Sequence, residues 1–289
     1  TLTLIAGTVW AFTQTTRHAY TYDIVGPKGA LNGISLTAVS QRIGGVVGAL
    51  VAGVIIATIG SGGQYVAVIT CYVGAAIILL GTRYEGQAAV RDPEPLLQNL
   101  LGCVRLLRGN RTLLVLMVFA ANIEVFGFTH QGLLPVFAKD VLGVGAVGLG
   151  AIIAVGQSGG VTGQLILASL GTFKHQGILL FGAAILFGLG LMTFSLVHNM
   201  LLFLVVLAVI NVCAAVTDTL EKTLMQSVVT NEERGRAMGS WVVSIGIAPI
   251  GFVAIGKLGS ILGAPLALLT FGSILACASL AAAVGLPQI

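Results

Sequence analysis

Four stretches of this chain, residues 64–82, 178–197, 199–217 and 266–286, contain no charged side chain. Each reaches or approaches the ~20 residues that carry a helix across a bilayer core. Backbone amides in lipid find no water to bond, so a crossing segment must satisfy them internally as a helix. The alternative of a membrane barrel would need period-2 alternation, and none is present. Charge is too scarce for a water-coated globule: 8% of residues are charged, against ~25% in a soluble domain. The mean hydropathy is +1.02. Forty glycines in 289 residues suit helices that pack backbone to backbone in lipid. These features define an all-α, polytopic membrane helix bundle.

Apolar runs and their breaks predict nine spans, near 1–16, 36–59, 64–82, 113–135, 146–170, 177–197, 199–220, 237–258 and 265–286. Basic residues fix their direction, because cytoplasmic loops are rich in Lys and Arg. Arg17, Lys28, Arg83, Arg91, Arg105, Arg108, Arg111, Lys174, Lys222, Arg234 and Arg236 fall in one set of alternate loops. The other set holds only Lys139 and, at a helix end, Lys257. The first set and the C-terminus are therefore assigned to the cytoplasm. The net charge of +4 follows this membrane pattern and implies no nucleic-acid partner. The partners expected are the lipid bilayer and a small molecule. Cys71, Cys103, Cys213 and Cys277 are scattered, with neither metal-ligand spacing nor a disulfide framework.

Residues 83–112 form the longest stretch outside the spans and the only charge-dense one. Leucines at 96, 97, 100, 101, 106 and 107 with Arg105 and Arg108 predict an amphipathic helix on the inner membrane surface. Three spans precede this linker and six follow it, the pattern of a duplicated six-helix unit. A shift of 204 positions sets "VSQRIGG" (Val39 to Gly45) on "VSIGIAP" (Val243 to Pro249), and Val25 on Val229. The expected organisation is 1–82 as the second half of one repeat, 83–112 as a cytoplasmic linker, and 113–289 as a complete six-helix repeat.

At this point the chain resembles the major facilitator superfamily, whose plan is twelve helices in two six-helix halves joined by a cytoplasmic loop. "LLPVFAKDVLGVGAVGLGAIIAVGQSGG" (Leu133 to Gly160) and "NEERGRAMGS" (Asn231 to Ser240) are similar to a branch of bacterial exporters that includes the enterobactin exporter and macrolide efflux proteins. The resemblance implies that the chain begins in helix four and carries helices 4–12, N-terminally incomplete, of a protein that is a monomer when complete. It further implies a secondary transporter in the bacterial inner membrane that exports an amphipathic molecule. The driving force would be a proton gradient, with no cofactor. The superfamily's antiporter pattern Gly-Pro-x-x-Gly-Gly reads Gly44, Gly45, Val46, Val47, Gly48, Ala49 here, without the proline and the last glycine. By the resemblance, the gating motif between helices two and three falls in the absent portion, and its echo between helices eight and nine is reduced to Gly163, Lys174 and His175, without the acid. Arg234 and Arg236 fall in a loop that, by resemblance, holds the halves together.

Several polar residues interrupt the spans. Glu124 is the only acid between Glu94 and Asp140. An ionisable group at that depth faces a bundle interior or a watery cavity and is a candidate proton or substrate site; the alternative is a hydrogen bond to a neighbouring helix. Gln131 stands seven residues on, nearly on the same face, and His130 is one turn short of the outer end. Arg42 either snorkels to the headgroups or faces the cavity, paired with an acid or an anionic substrate. Gln157 with Gln164, and Asn211 with Asp218, form stripes seven apart. They line a substrate path or bond helix to helix, the latter worth ~0.6 kcal/mol each. Asp218, Glu221 and Lys222 permit local ion pairing. Asn231 reads as an N-cap with Glu232 and Glu233 in the first turn. Glycines four apart (Gly44 and Gly48, Gly156 and Gly160, Gly159 and Gly163) allow close helix approach, and Pro249 can bend its span.

The classes then separate. His18, His130, His175 and His198 form no catalytic constellation, so an intramembrane enzyme is disfavoured and no metal site is expected. A transport-inactive sensor or scaffold is the remaining alternative to a transporter.

Overall fold

The computed structural model describes residues 37, 40–81, 105–170, 175–230 and 233–285. Among these there is no strand, and eight helices are long and apolar enough to cross a membrane. In chain order they are α1 (Ser40–Thr58), α2 (Ser61–Leu80), α3 (Arg111–Val141), α4 (Gly145–Leu170), α5 (Gln176–Leu196), α6 (Met200–Ser227), α7 (Ala237–Leu262) and α8 (Ala264–Gly285). They correspond to eight of the nine expected spans. The span 1–16 and most of the surface helix lie outside the described residues, although 105–109 is helical.

Glycines with positive φ close three of the tight turns: Gly60 between α1 and α2, Gly143 and Gly145 between α3 and α4, and Gly263 between α7 and α8. An L side chain rarely adopts that conformation. The letters "GVGAVG" (Gly143 to Gly148) match a dinucleotide-binding fingerprint by spacing alone, but here they form the turn that leads into α4. At the other end, Asn110 caps α3 by accepting a bond from Leu113 N at 3.0 Å, while its Nδ2 donates to Val228 O at 2.8 Å. One side chain thereby ties the start of α3 to the end of α6.

The core lies among α3 to α8. α5 packs on α8 and α6, and α4 packs on α6. Phe137, Phe194 and Phe203 stack from three different helices, with centroids 4.0 to 5.8 Å apart. The glycines expected to permit close approach divide into two groups. Cβ atoms at Gly159 and Gly163 would stand 2.5 and 2.6 Å from the carbonyl oxygens of Ala208 and Val212, so α4 and α6 touch backbone to backbone. Gly44 and Gly48 have nothing within 4 Å of a Cβ among the described residues. α1 runs antiparallel to α4 through the pairs Gly53 with Gly150 and Gly45 with Gln157. α2 buries none of its residues.

Three spans outrun their expected ends; α7 does so by four residues, to Leu262. α6 continues past the charged residues 218–222 to Ser227, because Leu220, Leu224 and Met225 stay buried in the core. α3 continues past 135 through a change of winding. After Arg111–Asn122 come a π turn (Ile123–Gly127), a 3₁₀ segment (Phe128–Leu133), one α turn (Leu134–Val136) and a second π turn (Phe137–Val141). Pro135 supplies no amide to the turn before it, consistent with the tightening there. α7 breaks at Ile247, just before Pro249, into Arg234–Gly246 and Ala248–Leu262. Glu233 precedes that first helix without capping it; its carboxylate instead accepts from the Thr230 hydroxyl at 3.2 Å. Asn231 and Glu232 lie outside the described residues.

Candidate functional site

The π turn of α3 carries Glu124. Such turns add a residue to the helical repeat and recur at functional sites. Facing it on α6 is the series Asp218, Glu221, Lys222. Lys222 Nζ lies 2.8 Å from Asp218 Oδ2, the local pair expected, and 4.2 Å from the centroid of the Trp241 ring of α7. A cation over an indole face is attracted by its quadrupole. Asp218 also interacts electrostatically with Glu124 and with Arg42 of α1. Arg42 is half-buried, and its guanidinium abuts Gly160 of α4, where no side chain intervenes.

Glu221 was not singled out as a site from the sequence. It is 2% exposed, interacts with Asp218, Glu124 and Lys222, and its Oε1 has no hydrogen-bond partner. A signal was present: Thr217, Leu224 and Met225 surround it on the helical wheel, and all three are buried. Asn122, two residues before Glu124, likewise has an enclosed Nδ2 without a partner.

A second, neutral level lies further along the same helices. A cavity of about 150 Å³ is lined by His130, Gln131 and Leu134 of α3, Ile152, Ile153, Gly156 and Gln157 of α4, and Leu207 and Asn211 of α6. No charged side chain lines it. His130 is 1% exposed, with Nδ1 2.7 Å from Gly127 O. The carbonyl can only accept, so Nδ1 carries the proton. Asn211 Nδ2 donates to Leu207 O at 2.9 Å, and a Cβ at Gly156 would stand 3.2 Å from that nitrogen. The Gln157 side chain rests against Gly45 of α1.

The spacing explains why there are two levels. Glu124 and Gln131 on α3, and Asn211 and Asp218 on α6, are each seven residues, ~10 Å, apart. The two helices run in opposite directions, so Gln131 meets the level of Asn211 and Glu124 that of Asp218. On α4, Gln157 reaches the cavity, whereas Gln164 is half-buried one turn beyond Gly160 and outside it. The structure thus unites Gln131, His130, Gln157 and Asn211 at one level, and Glu124, Asp218 and Arg42 at the other. Arg234 and Arg236 occupy the first turn of the helix Arg234–Gly246, and Lys174 lies outside the described residues. Among the described residues no three of His, Cys, Asp or Glu converge as a metal site.

A profile of the Major Facilitator Superfamily matches residues 1–253. No curated protein sequence matches the chain. With that profile covering most of its length, and with helices that make it an integral membrane protein, the chain belongs to the Major Facilitator Superfamily, a family of membrane transporters.

Proposed function

We propose that the chain is a proton-coupled exporter of an amphipathic, siderophore-like or drug-like molecule, working by alternating access in a bacterial inner membrane with its C-terminus in the cytoplasm. One observation carries the reading: a hollow neutral level and a charged level lie ~10 Å apart on the same two helices, α3 and α6, inside a membrane-spanning bundle. The hollow level offers amides and an imidazole beside Leu134, Ile152 and Leu207, a mixed polar and apolar lining whose volume of about 150 Å³ admits part of a drug-sized molecule in this conformation. The charged level offers Glu124, an ionisable group at a depth where such groups serve ion pathways. Arg42 on α1 meets Gly160 on α4 and interacts with Asp218 on α6. If 1–82 and 113–289 are the two halves, this contact lies where rocking would open and close it.

The test uses the full chain in proteoliposomes under an imposed pH gradient, with erythromycin and a catecholate siderophore as probes. Gradient-driven movement of at least one probe is expected. It should fall tenfold or more in Glu124→Gln, with the unfolding temperature unchanged. Full gradient-driven movement in that variant would remove Glu124 from the mechanism. Failure of both probes to move under any gradient would favour the sensor or scaffold alternative.

A further inference from the structure

The seam between α1 and α4 changes character along its length. At one end the two backbones touch: a Cβ at Gly53 would stand 2.8 Å from Ala146 O, and one at Gly150 would stand 2.6 Å from Ala49 O. About two turns nearer the start of α1, the contact passes to side chains. The nearest atoms to a Cβ at Gly45 belong to the Gln157 side chain, at 3.3 Å, and at Gly160 they belong to the Arg42 guanidinium. Backbone thus closes the seam at 49–53, whereas two long, flexible side chains close it at 42–45.

Gln157 stands between two spaces. On one side is the neutral cavity, which it lines together with Gly156. On the other is an open groove of about 320 Å³, lined by Ile43, Val46 and Val47 of α1 and Ser158, Val161 and Thr162 of α4. Gly156 and Ser158 point ~160° apart on their helix, so cavity and groove flank the seam from opposite sides. Among the described residues nothing covers the groove: Ile43 and Val47 are 55% and 56% exposed, and the outside of a membrane-spanning bundle is lipid. The Ser158 and Thr162 hydroxyls donate to Ala154 O at 2.9 Å and Ser158 O at 3.0 Å. Both protons are spent within α4, which leaves the groove fit for apolar surface.

We propose that this groove is a lateral port: an amphipathic molecule dissolved in the leaflet at the start of α1 lays its apolar part between α1 and α4 and passes the Gln157 side chain into the neutral cavity. The groove stands on the geometry; the molecule's onward movement rests on the transport reading, which also makes that leaflet the cytoplasmic one. Such a molecule concentrates in the bilayer by ~0.8 kcal/mol per buried CH₂, so the port meets it where it is most abundant. A lipid chain fits the same apolar lining but has no polar group for the amides beyond Gln157.

Rapid-filtration binding of quinacrine, a flat drug-like amphipath, to the full chain in proteoliposomes without a gradient tests the port apart from transport. An obstacle on a path raises the barrier in both directions and leaves the end states alone. Val47→Phe and Val161→Phe, each narrowing the groove, should slow association and dissociation alike by about tenfold, with Kd kept within about twofold. Val205→Phe, at a comparably exposed position on α6, should change neither rate. Parental rates in both groove variants would leave the groove to lipid chains and overturn the port. Equal slowing by Val205→Phe would do the same, as would a weaker Kd through faster dissociation alone, which makes the groove part of the resting site. Binding of neither quinacrine nor erythromycin to the unaltered chain also overturns it. Should Val161→Phe fail to fold, Val47→Phe at its exposed position reads the same slowing. If the rates behave as expected but no gradient moves a probe, the transport reading alone fails. If gradient-driven transport occurs and the groove variants exchange the probe at parental rates, the port alone fails.

Discussion

α3 and α6 present two levels with the same partners and opposite characters. At one, Gln131 and Asn211 border open volume with no charge nearby. At the other, seven residues away on each helix, Glu124 and Asp218 belong to a group of five charges with the Lys222–Asp218 bond inside it. Helix identity and face are shared, so neither sets the difference. What differs is what α1 and α4 bring. At the neutral level, Gly156 makes room for Asn211 and Gly45 makes room for Gln157. At the charged level, Gly160 makes room for a guanidinium. Missing side chains on one helix thus determine which polar groups gather on its neighbours.

The largest disruption should come from separating α4 and α6, on which both levels depend. In Gly163→Leu the new side chain meets the Val212 backbone at 2.6 Å, which cannot yield as a flexible side chain would. Overpacking of this kind costs ~1–3 kcal/mol, and the upper end is expected here. Chemical unfolding in detergent would measure it. Gly44→Leu, which has open space around its Cβ, should leave stability within about 0.5 kcal/mol of the parent. Equal losses in the two variants would show that the close approach of α4 and α6 is not what sets the levels.

Next comes Asp218→Asn, aimed at the charged level alone. It strips Lys222 and Arg42 of their shared acid. Breaking a fully buried pair costs ~3–5 kcal/mol. Here the two side chains keep 32% and 23% exposure, so solvent screening reduces this to about 2 kcal/mol. Lys222→Met in the same chain should recover part of the loss, and a double-mutant cycle would read the coupling. A cycle showing no coupling would mean that the 2.8 Å contact contributes nothing to holding the level together.

Gln131→Leu should separate the levels in the opposite sense. Gln131 is exposed and lines the cavity, so stability should change by under ~0.5 kcal/mol. The apparent affinity for whichever probe is moved should weaken about threefold to tenfold, with maximal rate retained. That result is the signature of lost uniform binding. A fall in maximal rate with unchanged affinity would place Gln131 in the driving step and blur the two levels into one.

How much of this was legible in the sequence follows from what each feature depends on. Spans depend on local apolar density, so the eight that fall among the described residues were readable, to within a few residues in most cases. The end of α6 was not, because the charges at 218–222 look like a water-facing terminus until Leu224 and Met225 are seen buried beyond them. Glu221 was lost with that boundary. The stripes at seven-residue spacing were visible within each helix. Their pairing across α3 and α6 was not, since the relative height of two helices is fixed by turns and caps such as Asn110 bonding Val228 O. Glycine spacing was equally ambiguous: "GxxxG" at 44–48 and at 159–163 read alike, yet among the described residues only the second lies against a neighbour's backbone.

A modest effect should come from Gly160→Ala, and it bears most directly on why the levels differ. Its Cβ would run into the Arg42 guanidinium, the far end of a flexible side chain that can swing aside. The loss of stability should therefore stay below ~1 kcal/mol, partly offset because alanine favours the helix over glycine by about that amount. The guanidinium, once displaced, would lose its place near Asp218. Gradient-driven transport should fall severalfold while probe binding at the neutral level stays unchanged. The matched variant Gly156→Ala presses on Asn211 instead and should weaken binding while sparing the gradient response. Identical phenotypes in the two alanine variants, one turn apart on α4, would mean that the levels act as a single site.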